Sequence, residues 1–333
     1  MIFSLQRCSV RRFVERSFSS LLGGRYSISG GDNKFSEVVY LVKCASPGSN
    51  QEPHFAYASI ASRSELMLTN LQPDEDPLLV NQASGDSANA RIVLEDDLLY
   101  SAPLPCLPPA IICIGLNYKR HAKEVGMPLP KYPIFLHKNP FSVIGPDEDI
   151  IIPKVAQEPP EVDYEVEMGI VIGKARSGQS CKDVSPEDVH EHILGFIACN
   201  DVSARRWQGK KRGGGQWSRA KSFDTFCPVG PAIRLCKCKE DVEAAGRLNI
   251  ETRLNGVPMQ SSSTKDLAFS IQDIVAFLSE GTTLLPGTVI LTGTPEGVGY
   301  TRDPPVYLKH GDEVTVEVEG CGALRNKVVE DGY

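Results

Sequence analysis

The stretch that decides the fold is DYEVEMGIVIG, residues 163–173. Its recurring Val and Ile, with Gly in the middle and at the end, predict a β-strand. Side chains alternate along a strand, so Glu165 and Glu167 should point to the same face. The apolar run Ile170–Ile172 indicates burial on both faces, where adjacent carboxylates repel each other unless a cation compensates them. Two interpretations remain open: a cation site, or a sheet edge with two solvated glutamates.

A second strand-like run carries a third acid and favours the cation site. Residues 193–200, ILGFIACN, lead directly into Asp201. Two glutamates and one aspartate form an all-oxygen ligand set, which suits Mg²⁺, Mn²⁺ or Ca²⁺ better than Zn²⁺. Three protein ligands also leave coordination positions for water or substrate oxygens, as in catalytic metal sites. We therefore predict that Glu165, Glu167 and Asp201 bind one divalent cation, with Mg²⁺ as the first choice.

Several ordered motifs resemble the fumarylacetoacetate hydrolase family over roughly residues 106–330. The resemblance is carried, in chain order, by Gly115–Tyr118, His121–Glu124, Asp163–Glu167, Asn200–Arg205, Lys221–Asp224, Leu291–Thr292 and Gly293–Gly299. Within the family, Ser203–Gln208 and Lys221–Pro228 are most similar to the domain-containing type 2 proteins, although Arg206 stands where the family commonly has Asp.

Many strands and few helices are predicted, which indicates an α+β, β-dominated domain. Beyond the two acidic runs, strands are expected at residues 110–114, 150–152, 248–254, 288–292 and 313–318. Asn255-Gly256 predicts a type I′ hairpin, and Ser270–Leu278 predicts a helix with one apolar face. The resemblance implies a matching fold, the fumarylacetoacetase-like multi-sheet β-roll with a small N-terminal domain.

The chain divides at a Pro-rich run, residues 103–109. We predict a small N-terminal domain over residues 32–105, containing a strand at Glu37–Cys44 and long polar loops, and a catalytic domain over residues 106–330. Residues 1–31 carry five arginines, many serines and one acid, and would form an amphipathic helix. This composition predicts a mitochondrial transit peptide and a matrix location. The alternative is a disordered basic tail that carries no targeting signal.

Composition excludes several other classes of protein. The chain has 333 residues and a net charge of −7, which gives no reason to expect a nucleic-acid partner. No apolar run approaches the ~18 residues that a membrane-spanning helix needs. The ten cysteines are irregularly spaced without a CxxC pair, which predicts buried free thiols and a reducing compartment. Neither a GxGxxG loop after a strand nor a GxSxG elbow is present, so nicotinamide chemistry and serine hydrolysis lack support.

His121 and Glu124 form a possible acid–base pair. If Asn117 caps a short helix, positions 121 and 124 share a face, and the carboxylate can orient the imidazole. Spacing alone favours an exposed turn, because the neighbouring residues are basic. The family resemblance implies instead a mobile lid, for which Gly115 and Gly126 would serve as hinges.

A basic island occupies residues 205–221, and its middle predicts a solvated loop. Lys221 differs, because it leads into an apolar segment and could pair with an anionic substrate or carry a proton. Family correspondence adds Arg205 and Gln208 as substrate contacts. Thr294 is a candidate to bind a carboxylate through its hydroxyl and nearby N–H groups.

The domain-containing type 2 group is associated with mitochondrial oxaloacetate tautomerase activity. The resemblance therefore implies a Mg²⁺-dependent isomerase that converts enol-oxaloacetate to its keto form through a metal-stabilised enolate. Lys221 and the His121–Glu124 pair are the candidate proton carriers, and family analogy implies a homodimer. The alternatives are a C–C hydrolase of acylpyruvates, an oxaloacetate decarboxylase and a non-catalytic metal-binding scaffold.

We predict that residues 1–31 direct import into mitochondria. A fluorescent reporter fused to this segment should enter mitochondria, and Arg11→Glu with Arg12→Glu should block its import because both changes reverse the positive face. Fluorescence microscopy of both fusions measures this. A wild-type fusion that stays in the cytosol would contradict the prediction.

Overall fold

The protein is represented by a computed structural model that describes residues 40–45, 54–62, 65–70, 78, 91–94, 99–175 and 177–332. The predicted transit peptide, residues 1–31, lies outside the described residues. So do the first residues of the strand predicted at 37–44 and most of the predicted loops before residue 99.

Strands dominate the described part of the chain. They are β1 (Tyr40–Ala45), β2 (His54–Ser62), β3 (Glu65–Asn70), β4 (Arg91–Leu94), β5 (Leu99–Tyr100), β6 (Ile111–Gly115), β7 (Ile134–Lys138), β8 (Val143–Ile144), β9 (Ile150–Ile152), β10 (Val162–Asp163), β11 (Val166–Ile172), β12 (Ile193–Asn200), β13 (Ser203–Ala204), β14 (Cys227–Leu235), β15 (Asn249–Leu254), β16 (Val257–Ser263), β17 (Val289–Leu291), β18 (Glu313–Val318) and β19 (Gly322–Glu330). The α-helices are α1 (Lys119–Glu124), α2 (Arg205–Gln208), α3 (Lys210–Gly213), α4 (Trp217–Lys221), α5 (Lys239–Ala245) and α6 (Ile271–Ser279). None of these helices has the length and apolar character needed to cross a bilayer.

Two local predictions are confirmed. Asn255 and Gly256 join β15 to β16 with φ values of 51° and 80°, and a type I′ turn requires a positive φ at both central residues. Helix α6 follows Ser270, whose hydroxyl accepts from the Asp273 N–H, and the Asp273 carboxylate accepts from the Ser270 N–H. This capping box explains why the helix begins there.

The largest sheet has twelve described strands and runs in the order β4-β3-β2-β1-β14-β12-β11-β17-β6-β7, with β5 and β8 attached to β1 and β14. A second sheet, in the order β16-β15-β18-β19-β9, packs against β11, β12 and β14. The α+β, β-dominated class is therefore confirmed. The strands of the predicted N-terminal domain continue the main sheet, because β1 pairs with β14.

Strand β11 lies in the middle of the main sheet and is buried along its whole length. Met168 and Ile170 contribute to the core between the sheets, whereas Val171 belongs to a second apolar cluster on the opposite face. The interpretation of Glu165 and Glu167 as solvated side chains at a sheet edge is therefore wrong. The predicted buried thiols are confirmed where Cys113, Cys199 and Cys227 lie in these cores without disulfides.

The strand register brings three chain segments together. Glu167 lies opposite Cys199 in the antiparallel pairing of β11 with β12, and the Asp201 N–H donates to the Glu165 carbonyl at 2.8 Å. On the other side of β11, strand β17 pairs at Gly169, so that the loop after β17 begins beside Glu167. The acids therefore meet because adjacent strands end at one level.

Asn117 does not cap helix α1, so that prediction is wrong. The N-cap is Tyr118, and no side chain caps the helix. The buried Asn117 amide instead donates to the Thr292 carbonyl at 2.8 Å and accepts from the Phe269 N–H at 2.8 Å. Backbone groups buried at the end of β17 and before α6 need partners, and Asn117 supplies them.

We predict that Asn117→Ala lowers the free energy of unfolding by about 2–4 kcal/mol, since it leaves the buried Thr292 carbonyl and the partly buried Phe269 N–H without their partner. Urea denaturation measures the change. Asn249→Ala is the matched control, because Asn249 is exposed, and it should cost no more than about 0.5 kcal/mol. An equal effect of both changes would contradict the role of the Asn117 amide.

Candidate active site

Three acidic side chains predicted to act together form one buried cluster. Each of Glu165, Glu167 and Asp201 offers a carboxylate oxygen, and these oxygens all lie within 4.8 Å of one another. Glu165 precedes β11, Glu167 lies in β11, and Asp201 follows β12. The geometry and the all-oxygen chemistry of this triad suit a hard divalent cation.

Two lysines contact Asp201, each at a different carboxylate oxygen. Lys221, in α4, contacts Asp201 Oδ2 and places its Nζ 2.7 Å from Glu165 Oε2 and 2.9 Å from Ser203 Oγ. Lys138, in β7, places its Nζ 2.5 Å from Asp201 Oδ1 and 3.2 Å from the Val202 carbonyl. The sequence alone did not predict a role for Lys138. The one signal was a charged residue at an inward position of an alternating strand.

Arg205, in α2, forms the third buried cation of the cluster. Its Nε donates to Asp163 at 2.8 Å, and its Nη1 lies 2.6 Å from Glu165 and 2.9 Å from the Gln208 side-chain oxygen. The guanidinium also lies over the Tyr300 ring, 4.3 Å from its centroid. The remaining nitrogen, Nη2, is buried and has no hydrogen-bond partner among the described residues. Arg205 also lines the cavity of the site, which makes its guanidinium a candidate contact for an anionic ligand.

The pKa values of the three acids diverge because their surroundings differ. Burial and the charges of Asp201 and Glu165 raise the pKa of Glu167 well above its usual value. Burial also acts to raise the pKa of Glu165 and Asp201, but nearby cations outweigh it and lower both. Lys221 and Arg205 act on Glu165, whereas Lys138 and Lys221 act on Asp201.

Glu167 is the member of the cluster that lacks a cation. It forms no ion pair with any described residue, and its Oε2 accepts the Gly293 N–H at 2.6 Å. A divalent cation between the three carboxylates would supply the missing positive charge. The residues present therefore fit a metal of the Mg²⁺ type.

The loop after β17 supplies polar groups at close range. Gly293 has φ 102°, and a Cβ there would lie 2.9 Å from the Asn117 Cβ, so this position requires glycine. Thr294 donates its hydroxyl to the Val166 carbonyl at 3.0 Å and accepts from Gln260 at 2.8 Å. The Thr294 hydroxyl thus fixes the loop to β11, although Thr294 also lines the cavity.

His121 is buried on a helix whose basic residues Lys119, Arg120 and Lys123 are exposed, so the exposed-turn interpretation is wrong for His121. Its Nδ1 lies 2.8 Å from Glu124 Oε2. Glu124 Oε1 accepts from the Gly297 N–H and the Thr301 hydroxyl, each at 2.9 Å. Burial opposes ionisation of Glu124, but these hydrogen bonds outweigh it and lower its pKa. The carboxylate therefore orients the imidazole and attaches α1 to the loop.

One cavity of about 310 Å³ brings these groups together. The predicted site residues that line it are His121, Glu165, Glu167, Asp201, Arg205, Gln208, Lys221 and Thr294. Glu124 and Lys138 do not line it and act through His121 and Asp201. A cavity lined by a buried carboxylate triad, an oriented imidazole and a guanidinium has the charges and the oxygen ligands that suit a divalent cation and an anionic substrate.

The chain belongs to the fumarylacetoacetate hydrolase family. The family model described as the fumarylacetoacetate (FAA) hydrolase C-terminal region matches residues 110–329. This match covers the carboxylate triad, helix α1 with His121, the basic island and the loop after β17.

Relatives and solved structures agree with this assignment. The human mitochondrial oxaloacetate tautomerases FAHD2A and FAHD2B are 42% and 45% identical to this chain over 243 residues, which is 73% of this chain and 73% of each relative. The crystal structure of 2-hydroxyhepta-2,4-diene-1,7-dioate isomerase from Mycobacterium marinum has a TM-score of 0.69 and 33% identity, and covers 89% of this chain and 100% of that one. Fumarylacetoacetate hydrolase from Exiguobacterium antarcticum gives 0.68 and 32%, with the same coverage.

We predict that Glu167→Gln abolishes metal binding yet stabilises the metal-free protein. Because the pKa of Glu167 is raised on folding, its carboxyl ionises first in the unfolded chain, so its contribution to stability falls as pH rises above the unfolded value of ~4.3. Gln cannot ionise and keeps the oxygen that accepts the Gly293 N–H. The variant should therefore melt higher than wild type at about pH 8, and the difference should shrink toward about pH 4.

Thermal unfolding in chelator and in Mn²⁺ measures both effects. Glu187→Gln, at an exposed position, is the control and should change neither. A Glu167→Gln protein that still gains stability from Mn²⁺ would place the metal elsewhere.

Proposed function

We propose that this protein is a divalent-metal-dependent isomerase that converts enol-oxaloacetate to its keto form. The observation that carries the proposal is the buried carboxylate triad, which shares one cavity with Arg205, whose Nη2 has no hydrogen-bond partner among the described residues. The names of relatives that are 42% and 45% identical support oxaloacetate as the substrate.

Glu165, Glu167 and Asp201 would hold the cation, for which Mg²⁺ is our choice and Mn²⁺ and Ca²⁺ are alternatives. When bound, the cation supplies Lewis-acid stabilisation of negative charge on the substrate oxygen. Arg205 Nη2 offers a charge-assisted hydrogen bond to a carboxylate. The side-chain oxygen of Gln208 accepts from Arg205, so the Gln208 amide NH₂ is directed elsewhere and can donate to the same substrate carboxylate.

Tautomerisation moves one proton from the enol oxygen to C3. The three hydrogens of the Lys221 ammonium are directed to Glu165, Asp201 and Ser203. Although burial opposes its charge, the neighbouring acids outweigh burial and raise the pKa of Lys221. Lys221 therefore remains a cation that organises the carboxylates. His121 lines the cavity with one ring nitrogen fixed by Glu124, and its other nitrogen can move the proton.

We predict that Lys221→Met is more damaging to enol-oxaloacetate turnover than His121→Ala. Lys221→Met removes the charge that holds Glu165 and Asp201 together, whereas His121→Ala removes one proton carrier, at a cost of ~10²-fold or more in rate. Loss of the enol absorbance of oxaloacetate, with Mg²⁺ and a chelator control, measures both. Equal activity of Lys221→Met and wild type would overturn the assignment.

A C–C hydrolase of acylpyruvates is the second candidate. The hydrogen bond between the buried His121 and Glu124 favours it, because an oriented imidazole can also deprotonate water. Pyruvate release separates the candidates: a tautomerase consumes the enol without releasing pyruvate, whereas a hydrolase or a decarboxylase releases it. Wild-type protein that cleaves acylpyruvates far faster than it ketonises enol-oxaloacetate is the hydrolase.

We propose a mitochondrial matrix location, which the relatives named as mitochondrial support.

We also propose a homodimer. Strand β7 ends the order of the main sheet, and its Ile134 and Phe135 are exposed, as is the nearby Phe141. An exposed apolar edge strand favours pairing with another copy. Light scattering of the purified protein should give a molar mass twice that of one chain. Phe135→Lys should reduce the measured mass to that of a single chain.

A further inference from the structure

Lys138 is a buried lysine at the candidate metal site that does not line the cavity. Its side chain is 0% exposed, and its Nζ lies 2.5 Å from Asp201 Oδ1. It occupies the last position of β7, where Leu136 and Lys138 are buried and Phe135 and His137 are exposed. The strand alternation therefore directs this lysine toward the acids.

Pairing alone does not explain Lys138. Burying an ammonium is costly unless an acid compensates it, and its acid partner, Asp201, already contacts Lys221 through the other oxygen. Lys138 therefore adds a second positive charge to a carboxylate that already has an ion-pair partner.

The charge of the whole cluster accounts for the second cation. The cluster contains four buried acids, Asp163, Glu165, Glu167 and Asp201, and three buried cations, Lys138, Arg205 and Lys221. When all are ionised, the cluster carries one net negative charge, and a divalent cation changes it to one net positive charge. Without Lys138, the metal-loaded cluster would be neutral and would attract a dianion less strongly.

We infer that Lys138 is a positioning residue that sets the charge of the metal-loaded site, weakening metal binding and strengthening the binding of dianionic substrates. This inference rests on the proposed metal site. It also requires that Lys138 act without touching the substrate, through Asp201 and through its charge.

Binding measurements on the purified protein test this inference. Lys138→Gln removes the charge but keeps a donor for Asp201, and Lys138→Met removes both. Calorimetry of the metal-free protein with Mn²⁺ should show at least ~10-fold tighter binding in both variants. The same proteins loaded with Mn²⁺ should bind oxalate, a chelating dianion, at least ~10-fold more weakly than wild type. Lys138→Arg, which keeps the charge, should bind Mn²⁺ and oxalate with affinities near those of the wild type.

Lys327→Met, at an exposed position of β19, is the control and should match wild type. Circular dichroism verifies that each variant is folded, and Lys138→Gln provides the test if Lys138→Met is not. Weaker binding of both Mn²⁺ and oxalate would assign Lys138 a purely structural role and overturn the inference. Unchanged binding of both would overturn it as well. Wild-type protein that binds no Mn²⁺ would instead remove the proposed metal site itself.

Discussion

The mutual repulsion of buried carboxylates is the constraint on which the rest of the structure depends. Glu165, Glu167 and Asp201 lie within a few ångströms in an environment that hydrates none of them well. Such a cluster persists only if positive charge surrounds it. Helix α4, helix α2 and strand β7 each deliver one cation, and the main sheet fixes the acids that they neutralise. The fold thus brings repelling carboxylates together and offsets their repulsion with cations from three different elements.

The parts of the site that sequence predicted are those in which neighbours along the chain determine geometry. The alternation of DYEVEMGIVIG places Glu165 and Glu167 together, and the length of the 193–200 run places Asp201 at a strand end. His121 and Glu124 meet because they are three residues apart on a helix. Periodicity of two or of 3.6 residues is readable from sequence, so these contacts could be foreseen.

The parts that sequence missed depend on pairing between distant segments. Lys138 reaches Asp201 across 63 positions, and nothing near Lys138 in the chain indicates an acid partner. Asn117 looked like a helix cap because caps are local, but its amide bonds Thr292, 175 positions away. Strands β2 to β5 lie where long polar loops were predicted, because their own patterns are weak, whereas β1 overlaps the strand predicted at Glu37–Cys44. Sheet order, which no local pattern encodes, decides the contacts of Lys138 and Asn117.

The two oxygens of Glu124 serve different segments, and this division has a consequence for turnover. One oxygen fixes the His121 ring, and the other accepts from the Gly297 N–H and the Thr301 hydroxyl of the loop after β17. Because His121 and Glu124 lie on the same helix, a movement of α1 would break the two bonds to the loop and keep the bond between the imidazole and the carboxylate. The imidazole would therefore travel already oriented, and the two loop bonds would fix its distance from the acidic cluster each time that they form.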